Sequence, residues 1–174
     1  MSSSRSKPHI APFVGPAWYV AAAWLAAALL AQSTVVHFVA IRGVVPSLVL
    51  VAVVWYAIRV DARRAVLYGL AAGLCEDALS AHSGAAWTIA TSLSALLASL
   101  LSRGFFADSI PLVIVITVVT SLARALLYWV VAALGGYPAG LGLMHLREAV
   151  LASALNALVM VVVMLLGRRF ERVR

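Results

Sequence analysis

The run IPLVIVITVVTSLARALLYWVVAAL, from Ile110 to Leu134, is 25 residues long and carries a single charge, Arg124. A helix of roughly 20 residues crosses a hydrocarbon layer of about 30 Å, so this run can span one with room to tilt. A barrel strand would alternate in polarity, and this run does not. It predicts a helix whose solvent is lipid.

The composition of the whole chain agrees. Of its 174 residues, 64% are apolar and 11% charged, and the mean hydropathy is +1.05. A water-soluble domain has about a quarter charged and half apolar residues, so the numbers argue against a soluble enzyme, a disordered chain or a secreted disulfide scaffold. Cys75, the single cysteine, forms no intrachain bridge. Five more apolar stretches flank the first: Ala17–Val36, Val44–Ile58, Ala65–Leu79, Ala85–Leu101 and Ala149–Leu166. They predict an all-α membrane protein of six transmembrane helices over residues 17–166. Residues 1–16, rich in Ser and Pro, read as a mobile tail, and residues 167–174 as a basic one. The two stretches between Val44 and Leu79 are short, and a re-entrant pair is their alternative. A signal peptide is the competing reading of the first 35 residues, but the apolar run continues through Val36 with no clear small-residue cleavage site. No repeat appears, and the loops are too short for a soluble domain.

Charge sets the expected orientation. The amino-terminal tail (Arg5, Lys7), the second loop (Arg59, Arg63, Arg64), the fourth (Arg103) and the carboxyl tail (Arg168, Arg169, Arg172, Arg174) hold ten of the 13 basic residues. Arg42 and Arg147 fall on the other side, so the positive-inside rule predicts that both termini are cytoplasmic. The net charge of +7 calls for no nucleic acid, because attraction of the juxtamembrane arginines to anionic lipid, at ~1 kcal/mol each, accounts for them.

Polar groups in hydrocarbon are costly, so the few inside spans are the candidate functional residues. Glu76 and Asp77 close the third span, Asp77 lying roughly 18–20 Å along it at about 1.5 Å per residue. Arg124 lies at a similar depth, roughly 21 Å along the fifth span, and is the natural counter-charge. Adjacent helical residues point about 100° apart, so the two acids cannot serve it alike; spacing leaves open which one pairs. An interhelical tie that fixes register is the plainer reading, and a polar switch or ligand site the sharper one. Asn156 in the sixth span can hydrogen-bond across helices. Gly69 and Gly73, spaced by four, fit close helix packing, and Gly84 reads as a turn residue before the fourth helix. Gly135, Gly136, Gly140 and Gly142 read as a flexible loop. His9, His37, His82 and His145 lack ligand spacing, which argues against a metal. The five tryptophans read as interfacial anchors. No nucleophile–base pair, phosphate loop or paired-cysteine motif is present.

The order of features from Pro46 to Gly84 resembles the MreD family, the small membrane component of the bacterial rod-shape system. In that family a proline opens the second helix, an apolar run leads to a basic turn, and a Gly-rich helix ends in G-x-x-x-D-x-x-S before a further glycine. Here these are Pro46, Leu48–Ile58, Arg59–Arg64, Gly73, Asp77, Ser80 and Gly84; Asn156 and Arg168-Arg169 match the last helix and tail. Two positions depart: Ser47 follows Pro46 where Asn or Asp is frequent, and Glu76 adds a second acid. The resemblance implies a non-enzymatic scaffold in the bacterial cytoplasmic membrane, with no cofactor, supporting lateral peptidoglycan synthesis and cell shape. Its partners would be MreC above all, with MreB, RodA and the elongation penicillin-binding protein. It also implies a fold like the six-helix substrate-binding (S) subunit of energy-coupling-factor transporters. A vitamin-binding S subunit is the alternative function, and it would present a polar, aromatic-lined cavity.

Overall fold

A computed structural model of the chain describes residues 15–34, 38, 40–80, 85–103, 109–136 and 142–171. Among them are six helices: α1 (Trp18–Thr34), α2 (Leu48–Ala57), α3 (Ala62–Leu79), α4 (Ala86–Leu101), α5 (Ile110–Leu134) and α6 (Gly142–Glu171). No strand is present among the described residues, only an isolated bridge between Ile41 and Val44. Among the described residues two helices are long and apolar enough to cross a membrane: α5, with 25 residues, and α6, over the 26 residues Met144–Arg169.

The short helix α2 organises the bundle. It has 10 residues, all of them Val, Leu, Ala or aromatic, and no amphipathic face; a helix apolar all round is one buried all round. Val49, Val53, Val54 and Ala57 have no exposed surface, and α2 packs against each of the other helices. The stretch expected over Val44–Ile58 is thus a shorter helix than the apolar run. Pro46 and Ser47 explain why. A proline disfavours helix in the residue before it, and the Ser47 side chain then caps α2 by accepting from the Leu50 N–H at 3.2 Å. Residues 41–44 close instead into a tight turn, with Ile41 and Val44 exchanging both backbone hydrogen bonds. Arg42 and Gly43 hold positive φ of 53° and 79° at its centre, the pair of left-handed residues such a turn needs.

α6 begins at Gly142, seven residues before the expected Ala149, because His145, Arg147 and Glu148 are polar yet helical. Gly142 is therefore the first residue of a helix and not part of a loop. α3 likewise starts at Ala62, with Asp61 capping it by accepting from the Arg64 N–H.

Glycine brings α3 and α4 together. A Cβ at Gly69 would lie 2.6 Å from that of Ala95, and one at Gly73 would lie 2.5 Å from the Thr88 Cα. Small residues on α4, including Thr91, Ala95 and Ala98, complete this seam. Gly84, expected to turn the chain before α4, lies outside the described residues, as do most of the amino-terminal tail, Arg172, Arg174 and the histidines other than His145.

Successive helices alternate in direction, and this gathers the arginines of the α2–α3 and α4–α5 turns at one end with those closing α6, while Arg42 in the α1–α2 turn lies at the other. At the first of these ends the Arg59 side chain leaves the end of α2, donates to the Trp55 carbonyl at 2.7 Å and reaches Met164 Sδ on α6. Its guanidinium lies 4.6 Å from the Trp55 ring centre. Arg63 and Arg64 are exposed on the first turn of α3, Arg103 after α4, and Arg168 and Arg169 at the end of α6. The opposite end holds the polar cluster.

Candidate functional site

The polar cluster centres on Arg124, which is 5% exposed. An arginine so deep needs an acceptor for each face of its guanidinium fork. Nη2 donates to both carboxylate oxygens of Glu76, at 2.6 and 2.5 Å. Nε donates to Thr91 Oγ1 at 3.0 Å and Nη1 to Ser47 Oγ at 3.0 Å. Thr91 in turn donates to Glu76 Oε2 at 3.0 Å, which closes a ring of partners from α3, α4 and α5. The flat face of the guanidinium lies 4.5 Å from the Trp87 ring centre. Trp87 also stacks against Tyr128, with centres 4.1 Å apart. Trp87 therefore belongs to the cluster through cation–π and stacking contacts, and is not a simple interfacial anchor.

The corner before α2 is the second focus. The Ser47 N–H donates to Asn156 Oδ1 at 2.6 Å, and Asn156 Nδ2 donates to Ser121 Oγ at 3.1 Å, which links α6 to α5. Gln32 reaches over from α1: its Oε1 accepts from the Leu48 N–H at 2.7 Å and its Nε2 donates to the Pro46 carbonyl at 3.3 Å. These are backbone groups that no helix satisfies, and side chains from α1 and α6 take them up.

Of the two adjacent acids, Glu76 holds the arginine, and the pairing of Asp77 with Arg124 suggested by their depths is not what forms. Asp77 turns to α4, where Oδ1 accepts from the Trp87 N–H at 3.1 Å and Oδ2 from the Thr88 N–H at 2.9 Å and its hydroxyl at 2.6 Å. Ala85, the residue before α4, offers no capping side chain. Asp77 supplies the cap from a neighbouring helix, placing a negative charge at the positive end of the α4 dipole. Ser80, a position of the motif, donates to the Asp77 carbonyl at 3.0 Å and finishes α3.

Beside Arg124 a cavity of about 390 Å³ opens among α1, α2, α3, α4, α5 and α6. Glu76, Arg124 and Asn156 line it, and Asp77 and Ser80 do not. Sequence reasoning missed Gln32, Thr91 and Ser121 as members of the cluster, and His145 and Glu148 as members of the cavity wall. Gln32, a polar residue near the end of an apolar run, was the one available signal; Thr91 and Ser121 lie inside their runs. The basic residues Arg59, Arg63, Arg64, Arg168 and Arg169 stand apart from this site at the other end of the bundle. Among the described residues no group of three or more His, Cys, Asp or Glu could hold a metal ion. No family model, curated protein or solved structure matches the chain.

Proposed function

We propose that this chain is a six-span protein of the bacterial cytoplasmic membrane and a non-enzymatic scaffold of the MreD kind, binding MreC and supporting lateral peptidoglycan synthesis and cell shape. MreB, RodA and the elongation penicillin-binding protein complete the expected partners. Both termini face the cytoplasm, where the arginines of the basic end meet anionic lipid. The observation that carries the reading is the closure of the polar cluster. Arg124 gives its donors to Glu76, Thr91 and Ser47, an arrangement suited to fixing helices against one another rather than to turning over a substrate.

The outer surface fits the same reading. Val115, Leu126, Leu158 and Leu165 are each more than half exposed, a surface for lipid tails or for another transmembrane helix. The 10 residues of α2 rise only about 15 Å, but a helix enclosed by protein need not match the bilayer thickness. The irregular residues 43–47 line a cavity or are buried, the setting in which nonhelical backbone persists at membrane depth.

A second reading, the S subunit of an energy-coupling-factor transporter, is favoured by the cavity beside Arg124. A gentle-detergent pull-down of the tagged protein from its own membranes, read by mass spectrometry, separates the two. MreC and the elongation synthases are the expected partners. A transporter ATPase pair with its coupling membrane subunit would overturn the scaffold in favour of the second reading.

A further inference from the structure

A second cavity, of about 210 Å³, lies between α1 and α6 with α2 as its floor. Each helix gives it one face. On α1 that face includes Trp24, Ala27 and Ala31, and on α2 Leu48, Ala52 and Trp55, both at the three- and four-residue spacing of a helix stripe. Val159 and Val163 supply the α6 wall. Alanine at positions 27, 31 and 52 leaves the space that longer side chains would fill. Trp24 and Ala27 are exposed, so the cavity is a groove open to the outside of the bundle. None of the described side chains lining it carries a charge, a hydroxyl or an amide. Such a wall suits a hydrocarbon body and offers nothing to orient a polar one.

One end of the groove is basic. Trp24 and Trp55 stand there with ring centres 5.7 Å apart. Arg59 continues the Trp55 face of α2 one turn on, and its guanidinium lies 4.6 Å from the Trp55 ring centre. Bonds to the Trp55 carbonyl and to Met164 Sδ, beside the Val163 wall, hold that guanidinium between α2 and α6. The other end, at Leu48, is roughly 10 Å away at about 1.5 Å per residue. An apolar groove of this length closing on a cation complements a chain that carries an anion at its end. A partner helix is too large for it, because one turn about 10 Å across and about 5.4 Å long fills about 400 Å³. We propose that the groove binds one acyl chain of an anionic phospholipid, whose phosphate accepts from Arg59. A thioether sulfur is a weak acceptor and a phosphate oxygen a strong one, so the phosphate displaces Met164 from the guanidinium. Trp24 and Trp55 then flank the chain where it leaves the head group, the usual level of membrane tryptophans. The inference rests on the membrane placement proposed above and not on the scaffold's partners, so the pull-down and the lipid experiment can fail separately.

The test uses the full-length chain in phosphatidylcholine vesicles containing a minor share of phosphatidylglycerol. Bromine on the acyl chains of one lipid or the other quenches the tryptophans that its chains touch, and the quenching lost in Trp55→Phe reports the groove. There phosphatidylglycerol is expected to bind about fivefold more tightly than phosphatidylcholine, the gain from one arginine near a membrane surface. Arg59→Gln should remove that preference. Ala27→Leu, at an exposed position, should fill the groove and remove its quenching by either lipid, whereas Arg64→Gln, at the same end but off the groove, should leave both unchanged. Equal binding of the two lipids, a preference that survives Arg59→Gln, or groove quenching that survives Ala27→Leu would overturn the inference and leave the membrane reading standing. No quenching of any tryptophan would overturn both.

Discussion

Two arginine–carboxylate pairs stand at opposite ends of this molecule. Arg124 and Glu76 meet at 2.5 Å with 6% and 15% of their side chains exposed, while Arg64 and Asp61 meet at 3.4 Å with 62% and 54% exposed. The chemistry is the same and the consequence is not. At the exposed end, water screens both charges and can replace either partner. At the buried end, each group has given up its hydration and holds only what the helices bring to it. The exposed pair is therefore a local ornament of the α3 cap, and the buried pair a joint between α3 and α5.

The sharpest way to break this contrast is Arg124→Gln. It leaves Glu76 buried without a counter-charge, and stability in detergent should fall by about 3–5 kcal/mol. Glu76→Gln should fall by a similar amount, and the double variant by clearly less than the sum of the two. Thermal or denaturant unfolding would read the cycle, and strict additivity would dissolve the pair. The same cycle run between Arg124 and Asp77 should show clearly weaker coupling, because Asp77 bonds to α4 and meets Arg124 only through their common neighbour Trp87.

Next in size comes the α3–α4 seam. Gly73→Ala places a methyl 2.5 Å from a backbone atom of α4, and overpacking of this kind costs about 1–3 kcal/mol. Gly167→Ala, on α6 with nothing within 4 Å, should instead be neutral or stabilising by up to about 1 kcal/mol. Matched melting curves for the two variants test whether the first glycine matters for packing. Asp77→Ala should cost about 0.5–2 kcal/mol, the range for a lost helix cap, with hydrogen exchange rising first at Trp87 and Thr88. The smallest effect belongs to the exposed pair: Arg64→Gln should change stability by no more than about 1 kcal/mol. A larger loss there would show that the basic end is as structural as the buried one.

Much of this was legible beforehand. The apolar run Ile110–Leu134 is α5 to the residue, because nothing polar blurs its ends. The four-residue spacing of Gly69 and Gly73 pointed to a close approach, and that is where α4 lies against α3. Helix ends were missed where polarity and helicity part company. Val44 and Val45 prolong an apolar run outside α2, whereas His145, Arg147 and Glu148 interrupt one inside α6. At the site, Arg124, Glu76 and Asn156 stood out as polar residues in apolar runs, but Ser47 and Thr91 did not, since a hydroxyl beside a helix end or within a helix is unremarkable in sequence.

By itself, then, the sequence determined the all-helical class, the number of helices among the described residues and the polar groups that have to be reconciled inside them. These follow from composition and from a helical period that each segment carries within itself. Which acid meets Arg124, which helix sits at the centre and where a hollow is left were decided by the tertiary structure alone. Those outcomes depend on how far each helix is rotated and shifted against its neighbours. A rotation of about 100° exchanges one residue for the next on a helix face, so adjacent Glu76 and Asp77 could take different partners only once α3 had packed.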